Sequence, residues 1–185
     1  VVLFTPYFNL PSPILNQVKK ALARGVKVTI VIGDKTASDF YIPPSKPFST
    51  IGVIPYIYEQ MLRKFIQRKQ VFIEQGLLTV RVWKHDSNSF HVKGIMVDNC
   101  SHLLTGSNLN PRAWRLDLEN GLLLQDPKKL LWPQFEQEIS AILQHTRKLE
   151  SAVTIDATSD YPRKVRRILR RLRVAQIDRF LKRLL

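Results

Sequence analysis

The first 32 residues read as strand, helix, strand, and no other stretch constrains the fold so tightly. Residues 1–7 form a short apolar segment. Ser12 then offers an N-cap with Pro13 at the first helical position, and Ile14, Leu15, Val18, Ala21 and Leu22 fall on one face at helical spacing. Gly25 follows as a stop signal, and residues 26–32 alternate as a strand does. A β-α-β unit of this length favours a parallel pair with a right-handed crossover. The expected class is therefore α/β.

The alternation continues. Residues 34–52 form a loop containing Tyr41, Pro43, Pro44, Pro47 and Phe48, which reads equally as a functional loop or a surface connection. Across residues 54–72, Ile54, Ile57, Tyr58, Met61, Leu62, Phe65 and Ile66 mark one helical stripe, with Arg63, Lys64, Arg68 and Lys69 off it. That stripe reads as core. Residues 77–83, 92–98, 102–105 and 118–125 read as strands, and 134–149 as a helix begun after Pro133. No apolar run approaches the ~18–20 residues of a membrane span. The chain opens without Met in an apolar strand, which reads as the start of a fragment. One cysteine, Cys100, excludes an internal disulfide and suits the cytosol as a small packed residue.

Chemistry concentrates in His91-Val-Lys93-Gly-Ile-Met-Val-Asp98, an H-x-K-x4-D pattern, followed by Thr105-Gly106-Ser107-Asn108. An imidazole can attack phosphorus or protonate a leaving oxygen, while an ammonium and an amide hold phosphoryl oxygens as charge builds. In a strand over 92–98, His91, Lys93, Ile95 and Val97 would share a face. Two cationic groups side by side are costly unless an anion sits between them. Asp98 would point to the other face and fix local structure. His85 lies beside the motif and could edge a pocket, whereas His102 and His145 read as structural or solvated. No His/Cys/Asp cluster has metal-ligand spacing, so neither a metal nor a cofactor is expected.

These residues resemble the phospholipase D superfamily. The resemblance rests on Thr5-Pro-Tyr-Phe8, Arg24-Gly-Val-Lys-Val28, the His91–Asp98 element and the run from Thr105 to Asn120. That long run and the basic tail resemble the phosphatidylserine-forming subgroup, and the likeness extends over essentially the whole chain. The family's usual turn is G-S-x-N; here Asn108 keeps its place, whereas Ser107 is shifted. The resemblance implies a mixed sheet flanked by helices over residues 1–150, one catalytic half, and a basic helical tail over 151–185. It implies His91, Lys93, Asn108, Glu119 and Asp98 as catalytic-motif residues and Ser107 and Arg112 as substrate-binding ones. Glu119 would accept a bond from Nδ1–H of His91 in the strand after the Asn turn, and Leu118 and Leu122–Leu124 suggest that it is buried. Arg112 could equally pair with Asp117 or Glu119.

The implied reaction is phosphatidyl transfer from CDP-diacylglycerol to L-serine, releasing CMP through a phosphohistidine. A double displacement needs two imidazoles. The second motif would come from a preceding half or a dimer mate; in the first case His91 is the acid/base. A cardiolipin-type phosphatidyltransferase or phospholipase D, and a dimeric phosphodiesterase or nuclease, remain alternatives.

Charge bears on partners. The chain carries a net charge of +14, and residues 151–185 hold ten Lys/Arg against three Asp/Glu. Such a balance implies an acidic membrane surface or, as second choice, nucleic acid. In the tail, Val165, Ile168, Leu169 and Leu172 form one apolar stripe, and Ile177, Phe180, Leu181 and Leu184 another. Arg163, Lys164, Arg166, Arg167, Arg170, Arg171 and Arg173 lie between them. The expectation is a basic amphipathic helix on acidic lipid, with docking on the catalytic body as the alternative. A cytoplasmic, peripherally membrane-associated protein follows.

Overall fold

The computed structural model describes residues 1–177, 181 and 185. β1 (Val2–Thr5) and β2 (Val28–Gly33) pair in parallel, from Val2 opposite Thr29 to Thr5 opposite Ile32, with α1 (Ser12–Ala23) as the crossover. Pro11, rather than Ser12, stands at the N-cap. Pro13 sits in the first turn, where its missing N–H costs the helix nothing. Gly25 adopts a left-handed φ of +77° just past the helix end.

α2 (Ile54–Glu74) leads into β3 (Leu78–Trp83), which adds in parallel to β2. On the other flank β4 (Gly94–Val97), β5 (Ser101–Thr105) and β6 (Gly121–Gln125) follow in antiparallel succession from β1. A short helix, α3 (Pro111–Arg115), separates β5 from β6, and α4 (Trp132–Gln144) precedes β7 (Thr146–Lys148), which pairs antiparallel with β3. The described residues thus form a mixed sheet of order β6-β5-β4-β1-β2-β3-β7.

The period-two alternation of the central strands decides which helices cover which face. Leu3, Ile30, Ile32, Val80 and Val82 pack against Val18 and Leu22 of α1 and Leu62, Phe65 and Ile66 of α2. Phe4, Val31 and Met96 face the other way, onto Phe135 and Ile139 of α4. His102 lies fully buried on that second face, its ring stacked 4.0 Å from Phe135. Each wholly buried Ile or Val of β2 contributes about 1.5–3 kcal/mol. That double-sided cover explains its run of apolar residues.

Three elements depart from the sequence pattern. The strand expected over 92–98 begins only at Gly94, so His91 and Lys93 precede the ladder. Gly94 sits between Phe4 and Leu104, and a Cβ there would lie 2.6 Å from the Leu103 carbonyl oxygen. So close an approach of backbones accepts no side chain. The helix expected over 134–149 stops at Gln144 and the chain turns into β7, held as Arg81 Nε donates to the Thr146 hydroxyl at 2.6 Å. Three residues are too few for alternation to reveal a strand. The strand expected over 118–125 starts at Gly121 and is an edge strand with Leu122 and Leu123 more than half exposed.

The tail differs most. α5 (Arg163–Val174) buries Val165 and Leu169 against Val53, Tyr56, Ile57 and Tyr161. Leu149, Ala152 and Ile155 belong to the main core, and Arg63 of α2 donates to the Ala152 carbonyl at 2.8 Å and to that of Ile155. Packing therefore runs across the division expected at residue 150. The apolar stripe expected to meet lipid is docked on the body, because the start of α2 offers a complementary apolar face. Of the second stripe, Phe180 and Leu184 lie outside the described residues. Arg163, Arg166, Arg167 and Arg170 cluster on the outer face of α5, exposed to solvent. Among the described residues no helix is long and apolar enough to cross a membrane.

Candidate active site

Strand register brings the motif residues to one edge of the sheet. Gly94, at the start of β4, pairs with Phe4 near the end of β1 and with Leu104 near the end of β5, while Thr105 pairs with Gly121 at the start of β6. The C-terminal ends of the parallel strands β1 to β3 thus share an edge with residues 91–93, the 106–108 turn and the approach to β6. In open α/β sheets this is where loops build sites.

His91 and Lys93 meet there. Lys93 Nζ lies 3.3 Å from His91 Nδ1, and His91 Nε2 lies 2.5 Å from Asp39 Oδ2. An ammonium only donates, so Nδ1 accepts and the proton of a neutral ring is assigned to Nε2, facing the carboxylate. The Tyr7 hydroxyl donates to the same Oδ2 at 3.1 Å. Burial works against the Asp39 charge, but bonds from Ser89 and His91, the imidazole's field and the Tyr7 bond together hold its carboxyl below the usual range. Burial, then the Asp39 charge, pushes the Tyr7 hydroxyl up to about 12, so it stays a donor. Tyr7 also stacks on Tyr58 at 5.0 Å.

Asp39 stands on a pinned loop. Asp34 accepts from the Thr36 amide at 2.9 Å, and Lys35 bonds to Glu59 of α2 at 3.1 Å and to Asp156. The Phe90 N–H, one residue before His91, donates to the Ala37 carbonyl at 3.0 Å. Phe90 is buried against Val31 and Ala37, and a Cβ on Gly33 would stand 3.1 Å from both its Cβ and the Pro6 carbonyl. The His91–Asp39 contact therefore joins two segments already stitched together.

The other expected residues divide. Asn108 closes the turn after β5 with Oδ1 buried and without a hydrogen-bond partner among the described residues. Ser107 is engaged locally, its N–H donating to Thr105 Oγ1 at 3.0 Å and its hydroxyl to the Asn108 carbonyl at 3.3 Å. Glu119, expected buried in a strand, is exposed in the segment before β6, and its Oε2 lies 2.6 Å from where a Gly106 Cβ would stand. Leu118 beside it is fully exposed. Neither ring nitrogen of His91 faces Glu119; the carboxylate in contact is that of Asp39.

Asp98 occupies the β4–β5 turn with φ of 53°, beside Asn99 at 61°, and Cys100 N–H donates to the Val97 carbonyl at 3.1 Å. Positive φ at both central residues is the hairpin-turn signature that Asp and Asn tolerate. At about 3.3 Å per residue this lies roughly 20 Å along the strand from His91. Asp98 thus sits in this turn and not beside His91 and Lys93. Arg112 pairs with Asp117 at 3.2 Å on the surface of α3. His85 stacks on His145 at 3.8 Å.

Sequence reasoning missed Tyr7 and Asp39. Each follows the C-terminal end of a parallel strand, and that position was the available signal.

Matched against known families, residues 1–146 fit the one described as cardiolipin synthase, PLD-like domain. The chain belongs to this phospholipase D-like family. Within it, the chain is 49% identical over 98% of its length to CDP-diacylglycerol–serine O-phosphatidyltransferase of Escherichia coli (strain K12), covering 40% of that protein. It is 44% identical over its full length to the enzyme of the same name from Haemophilus influenzae, covering 41%. The crystal structure of phosphatidylserine synthase from Haemophilus influenzae Rd KW20 matches with a TM-score of 0.95. The chain thus spans about two fifths of the length of the curated relatives it matches.

Proposed function

We propose that this chain is one catalytic half of a CDP-diacylglycerol–serine O-phosphatidyltransferase. The observation that carries the proposal is the His91–Lys93 pair at the sheet edge, in a chain 49% identical to an enzyme of that name over 98% of its length. The second imidazole comes from a further half or a dimer mate. The open β6 edge, with Leu122 and Leu123 exposed beside Leu116 and Leu118, supports a partner surface on that side.

In this reading the second imidazole attacks phosphorus of CDP-diacylglycerol to form a phosphatidyl-histidine. His91 Nε2 gives its proton to the leaving CMP oxygen as that P–O bond breaks and as Nδ1 takes a proton from Lys93, so the ring stays neutral. Nε2 then takes the serine hydroxyl proton, and Nδ1 returns its proton to Lys93, as the serine oxygen bonds phosphorus and the histidine leaves. The proton on Nε2, set by Lys93 at Nδ1, supports this acid/base assignment. Lys93 and Asn108 hold the phosphoryl oxygens, with Ser107 and Arg112 flanking. No metal is required.

The test is CMP release from CDP-diacylglycerol by the full-length protein with and without serine. Serine-dependent release fits the proposal, and release without serine dependence means a lipid phosphodiesterase. No release directs the search to nuclease substrates, for which the arginine face of α5 is the favouring observation.

The same face supports a cytoplasmic protein attached peripherally to acidic lipid, since each basic residue near an anionic surface contributes about 1 kcal/mol. With its apolar stripe docked on α2, α5 would bind by charge alone. Co-sedimentation with phosphatidylglycerol vesicles is expected to weaken steeply with salt and to be lost when Arg163, Arg166, Arg167 and Arg170 become Gln. Salt-insensitive binding would instead indicate apolar insertion.

A further inference from the structure

The site suits an anion, yet a carboxylate stands at its centre. Lys93 and an overall charge of +14 favour a phosphodiester. Asp39, 2.5 Å from His91 Nε2, opposes it. A like charge beside an anionic substrate lowers affinity unless it serves a cation of its own. At rest the donors to Asp39 are an imidazole N–H, the Tyr7 hydroxyl and the Ser89 side chain.

We propose that Asp39 is the seat for the α-ammonium of the serine acceptor. The inference rests on the reading of serine as acceptor given above. Once Nε2 has passed its proton to CMP, Oδ2 faces a nitrogen lone pair; Nε2 lacks a donor, and Asp39 has lost one of its three. Serine brings both. Its ammonium serves Asp39 and its hydroxyl serves Nε2. In a gauche rotamer the nitrogen and hydroxyl oxygen of a vicinal amino alcohol lie about 3 Å apart, close to the gap to be bridged. One serine molecule then spans the pair with its hydroxyl aimed at the base.

Water and glycerol offer a hydroxyl but no cation, so Asp39 discriminates against hydrolysis and against polyol acceptors. The pinning of residues 34–39 by Lys35, Phe90 and Tyr7 keeps the carboxylate in place while the imidazole changes protonation state. Tyr7 remains bonded to Oδ2.

The experiment is an acceptor comparison in the full-length protein: L-serine against 3-hydroxypropionate, which is serine without its ammonium. The quantity read is the ratio of their kcat/KM values for CMP release, which cancels any general loss from disturbing His91. The wild type is expected to favour serine by about a hundredfold or more. Asp39→Asn reduces that preference by about 10- to 100-fold, the worth of a charge-assisted bond. Asp39→Glu, which keeps the charge one methylene away, retains part of it. An undiminished preference in Asp39→Asn overturns the proposal. So does loss of all release with either acceptor in both variants, because the carboxylate then serves the imidazole alone. A wild type that shows no serine-dependent release overturns the acceptor reading itself, before any variant is compared.

Discussion

His91→Ala is expected to lower serine-dependent CMP release by about 10²- to 10⁴-fold, the span that a positioned acid/base contributes. The fold survives the change, because the His91 side chain is 51% exposed and its bonds among the described residues reach only Asp39 and Lys93. Thermal unfolding followed by circular dichroism checks this. The size of the loss also reads out which imidazole does what. If His91 is the acid, a phosphatidyl donor carrying p-nitrophenolate, which departs without a proton, loses far less than CDP-diacylglycerol does in the first step. If His91 is the nucleophile, both donors lose equally. An unchanged rate with CDP-diacylglycerol would remove His91 from the chemistry and favour a lipid- or nucleic-acid-binding module.

Lys93→Met is expected to cost about 10²- to 10³-fold in kcat, as loss of one oxyanion-stabilising group does. Two effects combine. The ammonium no longer meets charge developing on the phosphoryl oxygens, and Nδ1 loses the donor that holds the ring proton on Nε2. Lys93→Arg recovers only part of the rate, because a planar guanidinium cannot offer the same compact donor to a ring nitrogen 3.3 Å away. Steady-state kinetics in CDP-diacylglycerol decide the matter. A loss confined to KM would mean that Lys93 binds ground-state substrate and does nothing further for the transition state.

Much of this architecture is legible in the residues themselves. The opening β-α-β unit, α2 and its buried stripe, and β3 follow from periodicity, because each buries one face in a core of matching period. The pairing of His91 with Lys93 is legible for the same reason: residues two apart in an extended segment share a side. What alternation does not carry is where pairing begins. The backbone contact at Gly94 and the edge position of β6 depend on neighbours distant in sequence, and so Glu119 was expected in a buried strand it does not enter. Asp39 was hidden differently. It lies 52 residues from His91 in a loop without periodicity, and only the strand order brings the two together. The docking of the tail's apolar stripe does not follow from composition. Arginine density suggests a surface partner, but the destination of an apolar stripe depends on whether another part of the molecule presents a matching face.

That docking carries a consequence for how such a segment can diverge. On α5 the inward positions, Val165 and Leu169, are constrained by the shapes of Val53, Tyr56 and Ile57, and truncation there opens a cavity. The outward arginines answer only to charge. Over generations the two sides of one helix should therefore drift at different tempos, with lysine and arginine exchanging freely outside while the buried pair holds nearly still. A segment that looks like a detachable appendage would then keep its register on the body of the protein long after its surface had been rewritten.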